Sequence, residues 1–181
     1  MSNPAPLERV NFFAGKLLTA DDLAQEQTYH LDRHRRHNRF CHGWGVVAGL
    51  SVSITDDSTL TVEPGIAIDC AGNELAVVEC MRVPLGGLSG KSFLCIRYTE
   101  RLVQPVPSPT EASLFARIRE CVIAELLPID PSLDHEHNGP GTPGCGLAHP
   151  LCVATISRQR GRWRIGSCTY VRGSGGVRLK K

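Results

Sequence analysis

Residues 18–45 read LTADDLAQEQTYHLDRHRRHNRFCHGWG, and this stretch decides the fold because it carries a long helix together with both of its ends. Thr19 is a candidate N-cap, and Asp22 follows three residues later, as in a capping box. Neither glycine nor proline interrupts the next roughly 30 Å of helix. Arginines crowd the last turns, where positive charge is favourable, and Gly43 then ends the run. The sequence therefore predicts one N-terminal helix over residues 19–42.

Downstream of the helix, apolar and polar residues alternate as they do in strands. The run LSVSI places Leu50, Val52 and Ile54 on one face. Further short apolar runs follow, separated by glycine, proline and asparagine turn signals, at 60–64, 66–69, 74–79, 92–99, 120–126, 152–157 and 162–168. The sequence thus predicts an α+β, mostly β fold, in which a long N-terminal helix precedes an antiparallel β-sandwich or barrel-like domain.

The predicted organisation has further parts on both sides of the helix. Residues 1–18 form an extended arm, residues 43–170 the β domain, and residues 171–181 a flexible, basic, glycine-rich tail. The proline-rich segment 104–110 is predicted as a surface loop or short linker. Residues 128–150 form a long loop without periodicity, and such loops are usually functional, partner-bound or disordered.

Composition excludes several classes of protein. The 181 residues carry a formal charge of only +2 and are 41% hydrophobic, so neither a nucleic-acid partner nor a membrane span is expected. The first residues lack a signal-peptide pattern, and we expect synthesis in the cytoplasm, where thiols stay reduced. Five of the eight cysteines are predicted to act as small buried hydrophobes in strands: Cys70, Cys80, Cys95, Cys121 and Cys168.

The predicted helix carries a stripe of mainly polar residues on one face. Its members are Leu23, Gln27, His30, His34, His37 and Cys41. Their alternating spacing of four and three residues is that of the a and d positions of a coiled coil. We interpret the stripe as a seam shared between subunits, or as a polar strip beside the buried face. Metal binding is disfavoured because the motif lacks the glutamate of zinc proteases, and phosphate binding because acidic residues dilute the charge.

The long loop is the stronger candidate for metal binding. Cys145, His149 and Cys152 are spaced C-x3-H-x2-C, and His135 and His137 precede them. Three or four such ligands suit tetrahedral zinc, which could hold a loop that has little core of its own. The alternative is a solvent-exposed loop with incidental thiols.

Four linked motifs carry a resemblance to a known group of proteins. They are FFAGKLLTADD (12–22), HNR (37–39), HGWGVVAGL (42–50) and PGIAIDCAG (64–72). Over about residues 9–130 the chain resembles small proteins encoded among phage-tail-like contractile injection systems. Members of that family are similar to phage tail, baseplate and fibre-attachment components.

The resemblance implies a non-enzymatic structural subunit that associates with itself, as a symmetric oligomer or filament, and with other particle subunits. It also implies incorporation into a particle and release by cell lysis. The residues fit such a role, since Phe12 and Phe13 require a hydrophobic pocket, and a neighbouring chain could supply it. Trp44, between two glycines, is predicted to anchor the end of the helix on the sheet.

A second hypothesis remains open beside the assembly subunit. In it, the chain is a zinc-stabilised soluble domain that binds a ligand or partner through loop 128–150. An enzyme ranks third because the sequence contains no nucleophile elbow, phosphate loop or dinucleotide fingerprint.

Overall fold

The computed structural model of the protein describes residues 7–86, 88, 90–107, 114–131 and 139–167. In chain order the described elements are α1 (Ala20–His37), a π-helical turn (Asn38–His42), β1 (Gly45–Gly49), β2 (Val52–Asp56), β3 (Thr59–Val62), β4 (Gly65–Ile68), β5 (Glu74–Val77), β6 (Met81–Pro84), β7 (Ser92–Val106), β8 (Leu114–Leu127), β9 (Leu151–Gln159) and β10 (Arg162–Ser167). Among the described residues, no helix is both long and apolar enough to cross a membrane.

The strands form antiparallel sheets that include a curled half-barrel, so the predicted α+β, mostly β fold class is confirmed. Their strand orders are β1-β4-β5, β2-β3-β6 and β10-β9-β7-β8. Side chains from all three sheets meet in one hydrophobic core, in which Leu60, Leu75, Leu94 and Ile156 are fully buried. Burial of these large apolar side chains is the main favourable contribution to the stability of the domain.

Helix α1 begins at the predicted capping box. The Thr19 hydroxyl oxygen accepts a hydrogen bond from the Asp22 N–H at 3.1 Å, and an Asp22 carboxylate oxygen accepts one from the Thr19 N–H at 3.1 Å. Lys16 Nζ lies 3.0 Å from the other Asp22 oxygen. The hydrogen bond from Lys16, together with those from Thr19, lowers the pKa of Asp22 to about 2. These contacts fix the point at which the arm becomes a helix.

The Asp22 carboxyl should titrate with a midpoint of about 2 in an NMR pH titration of the full chain. Because folding lowers this pKa, the ionised carboxylate stabilises the helix start above pH 3.8, and that contribution is lost as the pH falls through about 2. Lys16→Ala should move the midpoint toward 3.8, because the contact with Lys16 is the largest cause of the shift. Equal midpoints in both proteins would contradict this role of Lys16.

Strands β1 and β6 were not predicted, and β7 is longer than predicted. β1 is short and glycine-bounded, and β6 ends in a proline, so neither carries a long alternating pattern. The proline-rich segment predicted as a loop or linker from residue 104 instead continues β7 through Val106. Cross-strand pairing explains this difference, since Pro105 lies opposite Phe115 and Val106 opposite Leu114.

The outer halves of β7 and β8 form a two-stranded ribbon. Strand β9 pairs with β7 only from Ser92 to Ile96, whereas β8 pairs with β7 as far as Val106. Leu102 and Ile118 face each other across this ribbon, and both side chains are more than 60% exposed. The ribbon thus presents apolar side chains to solvent.

Helix α1 lies on the surface of the β domain and is held mainly at its C-terminal end. None of its residues, all of which are described, is buried. The buried Asn38 donates a side-chain hydrogen bond to the Gly72 carbonyl at 3.1 Å, and Arg39 donates one to the Gly144 carbonyl at 2.9 Å. Arg35 adds an ion pair with Glu100 on β7 at 3.5 Å. The helix therefore has an anchored end and a largely exposed surface.

Candidate functional site

The predicted seam of α1 is exposed to solvent. Leu23 is 54% exposed, and the polar seam residues Gln27, His30, His34 and His37 are exposed as well. At about 100° of rotation per residue, the five side chains fall on one narrow strip of the helix. The β domain and the arm leave this strip available to another molecule.

The two flanks of the seam are covered by different parts of the chain. On one flank, Leu31, Arg35 and the seam residue His34 line a cleft of about 340 Å³ between the helix and the sheets. On the other flank, Leu7 of the arm lies beside Tyr29 and Arg33. His37 of the seam also borders the groove beside Leu7, whereas Leu23, Gln27 and His30 lie outside both grooves.

The arm that precedes α1 exposes large apolar side chains. Phe12 and Phe13 are 52% and 64% exposed, and Leu17 is 84% exposed. Lys16 Nζ lies 5.8 Å from the centre of the Phe12 ring, which is within the range of a cation–π contact. Val10 is the buried member of this segment. An exposed aromatic strip of this kind marks a surface that another protein can cover.

The cleft beside the helix contains a tyrosine held by a carboxylate. The Tyr98 hydroxyl donates to Glu100 at 2.7 Å, and the Arg35 guanidinium lies 5.9 Å from the centre of the Tyr98 ring. Burial, and then the contact with Glu100, raise the pKa of Tyr98 well above its usual value. Tyr98 therefore stays protonated and acts as a hydrogen-bond donor in the cleft. The deprotonated phenolate, which a nucleophilic role would require, is disfavoured.

Trp44 lies at the junction between helix and sheet, and its side chain is 2% exposed. The backbone of Trp44 forms two hydrogen bonds with the long loop. Its N–H donates to the Thr142 carbonyl at 3.2 Å, and its carbonyl accepts from the Gly141 N–H at 2.8 Å. Gly43, at φ 71°, makes this approach possible, because a Cβ there would lie 2.3 Å from the Gly141 carbonyl carbon. The described second half of the loop is thus fastened beside the base of the helix.

Two cysteines and a histidine come together where this loop meets the end of β4. Ligand atoms of Cys70, Cys145 and His149 lie within 4.8 Å of one another. Cys70 is buried, and the other two side chains are partly buried. Burial raises the pKa of the Cys70 thiol to about 12. A hydrogen bond from the Cys145 backbone acts in the opposite direction, but its effect is smaller. The cluster has the donor types of a zinc site.

The cluster differs from the ligand set predicted from sequence. Cys145 and His149 belong to it, but its third member is Cys70, which the sequence indicated only as a buried hydrophobe. Cys152 lies instead in β9, directly opposite Cys95 of β7, where both side chains are buried. Its thiol donates to the Ala154 carbonyl at 3.6 Å.

Other predicted residues lie beyond the described ranges. They are His135, His137, Cys168 and the tail 171–181. None of the seven cysteines that the structure describes forms a disulfide with another of them. One signal could have pointed to Cys70: it directly follows the last strand-like residues of its run, in DCAGNE, where a side chain leaves the regular alternation of the sheet.

The fold is similar to two solved structures. One is a chain of the type VI secretion system TssK-TssF-TssG baseplate subcomplex, with a TM-score of 0.54 and 12% sequence identity over 88% of this chain and 60% of that chain. The other is a chain of the baseplate complex from the type VI secretion system, with a TM-score of 0.51 and 15% identity over 89% and 58%. This chain therefore spans less than two thirds of either structure. No protein-family model and no curated protein matches the sequence.

At these identities the likeness establishes a shared fold. Both matched structures come from baseplates of a phage-tail-like system. These two baseplate chains belong to the kind of system that the sequence motifs indicated, and what the likeness shows for this chain is the fold.

Proposed function

We propose that this chain is a non-enzymatic structural subunit of a phage-tail-like contractile injection particle, and that it associates with a second copy of itself through α1. One observation carries the proposal: the β domain holds α1 by its C-terminal end and one flank, yet leaves the whole a/d seam exposed. The fold shared with baseplate chains supports the structural role. As such a subunit, the chain would be incorporated into the particle together with other subunits.

The chemistry of the seam suits a partner with an identical seam. Glutamine and neutral histidine side chains both donate and accept hydrogen bonds, so like residues can pair across a two-fold axis. In an antiparallel pair centred on His30, Leu23 of one copy lies near His37 of the other, and Gln27 lies near His34. Gln27, His30 and His34 then meet polar side chains, and Leu23 packs against the ring of His37.

Charges beside the seam favour the antiparallel arrangement. Glu26 and Arg33 are seven residues apart and occupy the same flanking position of successive heptads. An antiparallel pair centred on His30 places Glu26 of each copy opposite Arg33 of the other. A parallel pair would instead place Glu26 near Leu31, without charge complementarity. Within one copy, Glu26 contacts His30 at 3.1 Å and Arg33 contacts the Tyr29 hydroxyl at 3.4 Å, so both side chains are close to the seam.

Replacing Gln27 and His34 together with glutamate should dissociate the pair. The two substitutions put four carboxylates into the contact, where like charges repel and are costly to desolvate. In sedimentation velocity, the double variant should run as a monomer under conditions where the unaltered chain runs as a dimer. Its far-UV circular dichroism should match that of the unaltered chain, because both side chains are exposed and the fold itself stays intact.

Gln25→Glu/Thr28→Glu is the matched control, since both positions are exposed and lie on the far side of the helix from the seam. It adds the same charge and should leave the dimer intact. A charge swap adds a sharper test: Glu26→Arg should weaken the dimer, and adding Arg33→Glu should restore it. A seam variant that still sediments as a dimer would show that α1 does not form the contact.

A second candidate function is a zinc-stabilised domain that binds a partner through loop 128–150, and the cysteine–histidine cluster is the observation that favours it. The two candidates differ in solution mass. A monomer that binds zinc tightly favours the binding domain, whereas a dimer that depends on the seam favours the assembly subunit.

A further inference from the structure

We propose that Cys70, Cys145 and His149 are the protein ligands of a structural zinc ion that fastens the long loop to the base of α1. Their ligand atoms lie within 4.8 Å of one another. Ligands of a tetrahedral zinc site lie roughly 3.5–3.8 Å apart, given zinc–ligand distances of about 2.0–2.3 Å. Adjustment of the side chains by about 1 Å therefore brings the three atoms to bonding distance.

The backbone around the cluster is arranged to keep the ligands close. The Gly146 N–H donates to the Cys70 carbonyl at 3.0 Å. A Cβ at Gly144 would lie 2.4 Å from the Cys70 Cα, so only glycine allows the loop to approach this closely. These contacts bring residues from β4 and from the loop, far apart in sequence, to one point.

Hydrogen bonds prepare the ligand atoms of Cys145 and His149 for a cation. The Leu147 N–H points to the Cys145 sulfur at 3.4 Å. Such N–H···S bonds stabilise thiolates in metal sites. His149 Nδ1 lies 3.1 Å from the Pro150 carbonyl oxygen, which can only accept, so Nδ1 carries the proton. The lone pair is then on Nε2, as in zinc-ligating histidines whose other nitrogen is held by a carbonyl.

The donor set selects the metal. Two thiolates and one imidazole are the ligands that zinc prefers, whereas magnesium and calcium prefer oxygen. Two thiolates also neutralise a divalent cation, which suits a site that contains a buried cysteine. A fourth ligand completes the tetrahedron of a structural zinc site.

The position of the cluster explains what the ion would do. Gly72, two residues after Cys70, accepts the hydrogen bond from Asn38. Gly144, next to Cys145, accepts the one from Arg39. A zinc ion here joins the two segments on which the C-terminal end of α1 rests. Its loss should loosen the loop and the base of the helix together.

Elemental analysis of the full chain, purified without added metal or chelator, tests the site. We expect about one zinc per chain. After exchange with Co²⁺, we expect the visible bands of a tetrahedral site and a thiolate-to-cobalt charge-transfer band. Chelation should lower the Tm and expose the loop to protease. Metal-free protein that binds neither Zn²⁺ nor Co²⁺, or a Cys70–Cys145 disulfide in protein handled without oxidant, would overturn the proposal.

Single variants assign the ligands. Cys70→Ser and Cys145→Ser should each lose the zinc and the charge-transfer band, whereas Cys152→Ser should keep both. Loss of zinc in Cys152→Ser with retention in Cys70→Ser would overturn the assignment in favour of the ligand set predicted from sequence. X-ray absorption of the unaltered Zn²⁺ protein answers the same question if a variant fails to fold. Two sulfur ligands and one imidazole are expected, and a shell of oxygen atoms alone would contradict the site.

Discussion

Replacing Trp44 with alanine is expected to lower the free energy of unfolding by about 3–5 kcal/mol, the usual cost of truncating a buried aromatic side chain. Trp44 is 2% exposed and is among the largest fully buried side chains of the described chain. It packs in the same hydrophobic core as Leu60, Leu75 and Ile156. Truncation leaves a cavity between the helix end and the sheet, and urea unfolding followed by circular dichroism measures the loss.

Trp163→Ala is the matched control for Trp44. This second indole is only partly buried in β10 and donates a hydrogen bond to the Asp57 carbonyl at 2.9 Å. Its truncation should cost clearly less, because the side chain is only partly buried. An unfolding midpoint of the Trp44 variant that stays at the unaltered value would show that the indole is not a core anchor.

Gly72→Ala is expected to separate the base of α1 from the β domain. Gly72 has φ +91°, and a Cβ there would lie 2.1 Å from the Arg35 carbonyl oxygen. The left-handed conformation alone costs an L-residue roughly 1–2 kcal/mol. The clash with the helix backbone adds to this, because it pushes α1 away and breaks the hydrogen bond from Asn38 to Gly72. We expect a total loss of about 2–4 kcal/mol, measured by urea unfolding.

Two control variants, Gly15→Ala and Gly86→Ala, distinguish the strain of the left-handed conformation from the clash with the helix backbone. Gly15 has φ +87° but open space around its Cβ position, so its variant reports conformational strain alone. Gly86 has open space and no left-handed φ, so its variant should be nearly neutral. If Gly72→Ala loses no more stability than Gly15→Ala, the close contact between Gly72 and the helix is absent in solution.

The features predicted correctly from the sequence depend on neighbours along the chain. The capping box needs only Thr19 and Asp22, which are three residues apart, and the helix end needs only Gly43. The glycine–asparagine turn at 71–73 joins β4 to β5 as predicted, because Asp69 accepts hydrogen bonds from the backbone of Ala71 and Asn73. Local hydrogen bonds of this kind are encoded within a few residues.

The features that were missed depend on distant parts of the chain. Strand β6 exists because Met81 and Val83 pair with β3, and its own residues carry too short a pattern to predict it. Cys70 joins Cys145 because the loop folds back onto the end of β4, an approach that no local spacing reveals. Cys152 matched a ligand spacing, but its strand pairs with β7 and places it opposite Cys95. The sequence spacing therefore indicated the types of side chain that come together, cysteine and histidine, but it did not identify all three residues of the cluster.

Sedimentation velocity of the full chain over a dilution series tests most directly whether α1 joins two copies. We predict a species with twice the mass of the chain, which Gln27→Glu/His34→Glu converts to a monomer and Gln25→Glu/Thr28→Glu does not. Leu102→Lys/Ile118→Lys, on the exposed ribbon, should leave the dimer intact. A chain that stays monomeric at every concentration would contradict self-association through α1, as would a dimer lost only in the ribbon variant.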